Sequence, residues 1–173
     1  MKDKIVGTVV LDQEQISHGV KTVARQLNQA FADAVIVTVT PGGTLFTADL
    51  VRQLDFDVEM DFISCPHTPG DRENGSAITF DNNIDLTNKH VIVIDDAIES
   101  GGTMKRLVDF LKSHYPINSL SVATLFVKPG RVDIDAQCYF AYEMDNDDLL
   151  VGYGLPWKGK YRNLPCVHKL NIA

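Results

Sequence analysis

The stretch His90–Thr103, HVIVIDDAIESGGT, decides the fold. Val91, Ile92, Val93 and Ile94 are an unbroken β-branched run, the composition of a strand buried on both faces in a parallel sheet. Met104, Leu107, Val108 and Leu111 then recur at helical spacing, so Ser100–Thr103 is the turn that opens a helix. A helix start offers free backbone N–H groups and the positive end of a dipole, and Gly101 and Gly102 let the backbone wrap closely round an anion. Asp95 and Asp96, at the carboxyl end of the strand, can accept hydrogen bonds from a sugar diol or help a metal ion to hold a polyphosphate. The combination points to a phosphorylated ribose.

Two other phosphate motifs are excluded. Gly102 stands where a P-loop needs lysine, and Met104, Lys105 and Arg106 follow Thr103 where the dinucleotide fingerprint needs a third glycine. An ordinary acidic loop with an incidental Gly-Gly explains each residue separately but not their coincidence behind a buried strand.

With 173 residues, 45% of them hydrophobic, the chain suits a single domain spanning 1–173 with a sizeable core. No segment reaches the roughly 18 to 20 apolar residues of a membrane span. The opening MKDKIVGTVVLDQEQ lacks the long apolar region of a secretory signal. Cys65, Cys138 and Cys166 are odd in number and lack metal-ligand spacing, which suits a reduced, cytoplasmic protein. A net charge of −7 argues against broad nucleic-acid binding, and an acidic protein that binds phosphates needs local cations or magnesium.

Ile16, Val20, Val23, Leu27 and Phe31 predict a first helix over about Asp12–Asp33. AVIVTVT (34–40) predicts a buried strand, Pro41–Gly43 a turn, and Thr44–Leu54 a second helix. This strand, turn and helix repeat the layout around His90–Thr103, and such alternation implies a parallel sheet with helices on both faces. Phe56–Phe62 alternates as a half-exposed strand and, with a second short strand Ser76–Phe80 beyond the polar loop Ser64–Gly75, resembles a mobile flap; Leu120–Val127, Tyr139–Tyr142 and Leu149–Tyr153 are later strands. About five parallel strands plus the flap are expected.

The strand, paired acids and Gly-Gly-Thr turn resemble the motif of type I phosphoribosyltransferases. LDQEQISHGVKTVARQL near the start, Val127-Lys128 after a strand, and LLVGYGLPWKGKYRNLP at 149–165 are similar to the corresponding parts of hypoxanthine-guanine phosphoribosyltransferases, in order along nearly the whole chain. The resemblance implies an α/β fold with a flexible flap and a small C-terminal hood. It also implies transfer of ribose 5-phosphate from phosphoribosyl pyrophosphate to N9 of a purine, with Mg2+ as cofactor, in a homodimer or homotetramer; from the net charge and the apolar runs, neither nucleic-acid nor membrane partners are expected.

On that resemblance, Asp95 and Asp96 bind the ribose hydroxyls directly or through magnesium, and Ser100, Gly101, Gly102 and Thr103 cradle the 5-phosphate. Glu99, where the family usually has aspartate, is the catalytic carboxylate near N7. Lys128 matches the lysine that donates to the exocyclic oxygen of a 6-oxopurine. Leu150 and Val151 offer backbone groups to the base, with Leu149 where an aromatic ring usually stacks. Gly42, Gly43 and Arg162 match the pyrophosphate contacts, and the arginine fork suits phosphate oxygens.

Several positions depart from the family pattern. The pyrophosphate turn, normally Leu-Lys-Gly, is Thr40-Pro41-Gly42-Gly43, without the lysine; its proline makes a cis peptide at Thr40–Pro41 accessible, and we expect one there. His67 and Thr68 stand near the flap's usual Ser-Tyr pair, with His67 either a donor to pyrophosphate or an exposed loop residue. Pro156 replaces an aspartate that holds a second magnesium, and Trp157 after it is a candidate wall of the base pocket. Three readings follow: a purine phosphoribosyltransferase with a remodelled pyrophosphate site, a protein of the same fold acting on another base, or a non-catalytic regulator that binds phosphoribosyl pyrophosphate or a nucleotide.

Overall fold

The computed structural model describes residues 5–66 and 74–172. His67 and Thr68 therefore lie outside the described residues, as does most of the expected flap loop.

The apolar runs read from the sequence form one parallel sheet. We number its strands and the helices in chain order: β1 (Val6–Leu11), α1 (Gln13–Ala30), β2 (Asp33–Thr40), α2 (Thr44–Val51), β3 (Asp57–Ser64), β4 (His90–Ile94), β5 (Ala97–Ile98), α3 (Gly102–His114), β6 (Ser119–Val127), β7 (Gln137–Glu143), β8 (Leu150–Val151) and β9 (Val167–Leu170). The larger sheet has the order β3-β2-β4-β6-β5, with β7 pairing β6, and each of these pairings is parallel. That makes six strands against about five expected: Ala97–Ile98 adds a two-residue strand beside Phe126–Val127, β3 pairs in parallel with β2 instead of standing in a flap, and Leu149–Tyr153 contributes none.

Alternating side chains split the sheet's burial between two cores. Ile36, Ile92, Ile94, Ala123 and Leu125 face α1 and α2, whereas Val35, Val37, Val91, Val93 and Val122 face α3 with Leu107, Val108 and Leu111. A run apolar at every position is thus satisfied only with helices on both sides. Asp12 caps α1 in a reciprocal box with Gln15, and Ile16, Val20, Val23 and Leu27 are its buried stripe. The helix ends at Ala30 rather than Asp33, and α2 ends at Val51 rather than Leu54.

The second sheet, β1-β9-β8, is antiparallel and joins the two ends of the described chain. Neither β1 nor β9 was expected. Short strands paired across the length of the chain carry little local pattern, and only the register, Val6 opposite Leu170 and Leu11 opposite Val167, makes them a sheet. The strand expected at Leu149–Tyr153 is the shorter β8 of this hood. The short strand expected at Ser76–Phe80 is also corrected: among the described residues this segment makes a single bridge, Ser64 to Thr79.

Candidate active site

Parallel register brings the carboxyl ends of β2, β3, β4 and β6 to one edge, where α/β sheets place their ligands. A cleft of about 190 Å³ opens there. Its floor is the segment Asp95–Thr103. Asp95 Oδ1 accepts the Asp96 N–H (2.8 Å) and Asp96 Oδ1 accepts that of Ala97 (2.7 Å), so both carboxylates are held by the backbone that carries them. Burial pushes the Asp95 carboxyl well above its ordinary range, and the neighbouring charge of Asp96 pushes it further. Burial likewise raises Asp96, to about 6, with the Glu99 charge adding and Arg162 opposing.

The turn at 100–103 leads into α3 as expected. Gly101 adopts φ 85°, a left-handed conformation that disfavours a side chain, immediately before the first helical residue. Gly101 and Thr103 line the cleft with Ser100, while Gly102 lies behind them and directs its N–H towards Ser100 Oγ at 3.4 Å. Thr103 Oγ1 accepts a 2.9 Å hydrogen bond from Asn74, a buried residue that sequence reasoning left in a polar loop. The Asn74-Gly75 dipeptide there is a turn signal, but nothing local tied it to Thr103.

Across the cleft, the Thr40–Pro41 peptide is cis, as expected. Pro41 and Gly42 line the cavity; Gly43 is tucked beneath, donating to Val39 O at 2.8 Å. The hood closes over this turn at Gly154, where φ is 101° and a Cβ would lie 2.2 Å from Gly42 O. Only a residue without a side chain permits so close an approach. Arg162 lines the cleft and donates to Gly154 O at 2.7 Å, which ties the arginine to the same contact.

The purine-side residues divide. Leu149 and Leu150 line the cleft with Ile98, Leu155, Pro156, Trp157 and Leu170. Lys128 does not. The parallel pair Ile98–Val127 places the next two residues, Glu99 and Lys128, side by side. The Lys128 side chain is 2% exposed; Nζ lies 3.1 Å from Glu99 Oε1 and donates to Asp148 O at 2.6 Å. The expected base-contacting cation and the expected catalytic carboxylate thus hold each other. Leu170 was missed because β9 was missed. Cys65 was missed as a lining residue; its Sγ accepts from Asn74 and Arg106, each at 3.5 Å.

This floor and cleft define a phosphoribosyltransferase-type site. The family model for the phosphoribosyl transferase domain matches residues 8–156, and the layered sheet with its hood is the type I phosphoribosyltransferase fold. The chain is 31% identical over 171 residues to a hypoxanthine-guanine phosphoribosyltransferase of Staphylococcus epidermidis, covering 96% of this chain and 95% of the relative. A solved hypoxanthine-guanine phosphoribosyltransferase from Bacillus anthracis is 34% identical, with a TM-score of 0.85 over 97% of this chain and 99% of that one. A hypoxanthine phosphoribosyltransferase from Trypanosoma cruzi, 24% identical, shares the fold with a TM-score of 0.85 over 99% and 93% of the two chains. The chain belongs to the hypoxanthine-guanine phosphoribosyltransferase family, a family of glycosyltransferase enzymes.

Proposed function

We propose that residues 1–173 form a single domain that transfers ribose 5-phosphate from phosphoribosyl pyrophosphate to N9 of a 6-oxopurine, hypoxanthine or guanine, releasing pyrophosphate in purine salvage. The observation that carries this reading is the cleft that joins the paired carboxylates, the helix-opening turn, Gly42 and Arg162 on one side to an apolar wall on the other. The similarity to named hypoxanthine-guanine phosphoribosyltransferases supports it.

In this reading the N–H groups and hydroxyls of Ser100–Thr103 hold the 5-phosphate, and Asp95 and Asp96 accept from the ribose hydroxyls. As the glycosidic bond to pyrophosphate breaks and positive charge grows on the sugar, the Glu99 carboxylate takes the purine proton and opposes that charge. Gly42 and Arg162 receive the departing pyrophosphate, with Gly43 holding the turn from beneath, and Leu149 and Leu150 cover the base. Lys128, whose Nζ faces Glu99 Oε1, Asp148 O and, at 3.8 Å, Asp147 Oδ1, donates to the exocyclic oxygen once the base displaces the Glu99 carboxylate from its resting contact.

Magnesium fits this donor set. Two adjacent carboxylates, Asp96 buried and Asp95 half-buried, both raised by desolvation and by neighbouring negative charge, would be relieved by a divalent cation. No cluster of three or more metal-ligating side chains occurs among the described residues, so the cation would complete its shell with substrate oxygens and water, a common arrangement for magnesium. When bound it supplies neutralising charge for the pyrophosphate.

Incubation with phosphoribosyl pyrophosphate, magnesium and hypoxanthine, guanine or adenine tests the reading: pyrophosphate release with a 6-oxopurine is expected, and release with adenine alone would overturn it. A second reading, binding without turnover, is favoured by the Glu99–Lys128 ion pair and by Pro156; nucleotide binding with no release for any base would select it. We further propose a cytoplasmic homodimer or homotetramer. The three cysteines are free, no described helix is long and apolar enough to cross a membrane, and Met60 and Phe62 are exposed on the edge strand β3. A monomer in sedimentation equilibrium would overturn the assembly.

A further inference from the structure

The lining of the cleft separates by chemistry. Asp95, Asp96, Glu99, Ser100, Thr103 and Arg162 supply groups suited to sugar, phosphate, metal and proton transfer, whereas the remaining side chains, Thr40 and Cys65 aside, are apolar. Among the described residues that line it, Trp157 carries the sole aromatic ring. Leu149 can cover a base but offers it no π-face.

The backbone around Trp157 is built to present that ring. Trp157 and Lys160 exchange two backbone hydrogen bonds of 3.0 Å, closing a tight hairpin in which Lys158 and Gly159 take φ of 49° and 75°. Beneath it, Gly152 and Leu155 exchange bonds of 3.0 and 3.1 Å, and Tyr153 and Gly154 donate to Leu164 and Arg162 at 2.9 Å each. Pro156 fixes φ immediately before the ring. Lys158 Nζ lies 5.9 Å from the ring centroid, a cation–π contact that restrains its orientation. A flat, half-buried ring on a braced hairpin, lining one cleft with Leu149, Leu150 and Leu155, is an arrangement that can capture a planar heterocycle.

We propose that Trp157 receives the flat face of the purine and so supplies the stacking that Leu149 cannot. The assignment rests on the phosphoribosyltransferase reading above and names the residue by which the site prefers an aromatic base. Stacking of a base on an aromatic ring tolerates differences in ring substituents, so Trp157 governs affinity for purines as a class rather than the choice between hypoxanthine and guanine.

Trp157 is the chain's single tryptophan, so its emission reports on this one site. The intact protein, with magnesium, is titrated with GMP, ribose 5-phosphate and inorganic pyrophosphate, with calorimetry in parallel. Saturable quenching by GMP is expected at the concentrations that give calorimetric binding, with little change from ribose 5-phosphate or pyrophosphate. Trp157→Leu should weaken GMP about tenfold while holding ribose 5-phosphate within about twofold, and Trp157→Phe should keep GMP within about threefold. Calorimetric GMP binding with unmoved emission, equal quenching by ribose 5-phosphate or pyrophosphate, or undiminished GMP affinity in Trp157→Leu would overturn this inference and leave the transferase reading standing. Absence of GMP binding to the wild-type protein in calorimetry would overturn both.

Discussion

The floor of the cleft and its hood are assembled in opposite ways. The floor is one continuous segment, Asp95–Thr103, running from a buried strand into a helix, with its two aspartates each fixed by the next residue's N–H. The hood gathers β1, β8 and β9 from both ends of the chain and meets the floor at Gly154, where a Cβ would lie 3.3 Å from Asp96 Oδ2 as well as 2.2 Å from Gly42 O in the facing turn. The departures from the family pattern gather at the rim and hood, at Pro41, Leu149, Pro156 and Trp157, while the floor departs only at Glu99. A segment whose chemistry and backbone are set by the same few residues has little freedom to vary, whereas a hood held by packing can exchange the side chains it presents.

That contrast can be broken at the floor first. If Glu99 is the catalytic carboxylate, Glu99→Gln should slow pyrophosphate release by about 10²-fold or more while GMP still binds in calorimetry. Unchanged turnover would reassign the role and leave the Glu99–Lys128 pair a structural contact. The junction of floor and hood comes next. Gly154→Ala, whose Cβ would meet Gly42 O, should cost about 2–4 kcal/mol in denaturant unfolding, whereas Gly159→Ala, with nothing within 4 Å, should cost only about 1 kcal/mol for its left-handed backbone. Equal costs would mean that the hood does not rest on the floor there.

The smallest effect concerns charge in the floor. Unfolded carboxyls release their protons near 3.8, but folded Asp96 keeps its proton up to about 6 and Asp95 is also raised. Between those values the folded state binds more protons, so stability falls as pH rises through the window. Asp95→Asn should therefore stabilise the magnesium-free protein at pH 7 by about 1 kcal/mol and flatten that fall, at the expense of activity. A destabilised variant with an unchanged pH profile would show that the carboxylate pair carries no such cost.

How much of this was legible in the sequence follows the same division. Val91–Ile94, Ala34–Thr40 and Leu120–Val127 announce themselves because a strand buried on both faces must be apolar throughout, and Asp95–Thr103 because a phosphate turn needs those residue types at that spacing. Val6–Leu11 and Val167–Leu170 did not, since each becomes a strand only through the other. Asn74 reaches Thr103 across the fold, and Lys128 leaves the cleft lining because the pairing of β5 with β6 sets it against Glu99. Both are consequences of tertiary register rather than of local pattern. The cis peptide before Pro41 could be anticipated because proline makes that geometry accessible at a turn.

The central claim is that Asp95–Thr103 is a ribose 5-phosphate floor, and a crystal structure with bound IMP and magnesium tests it most directly. The account predicts the 5-phosphate within hydrogen-bond distance of the N–H groups at 101–103 and the ribose hydroxyls at Asp95 and Asp96. A phosphate bound instead against Gly42 and Arg162, with the turn at 100–103 empty, would contradict it.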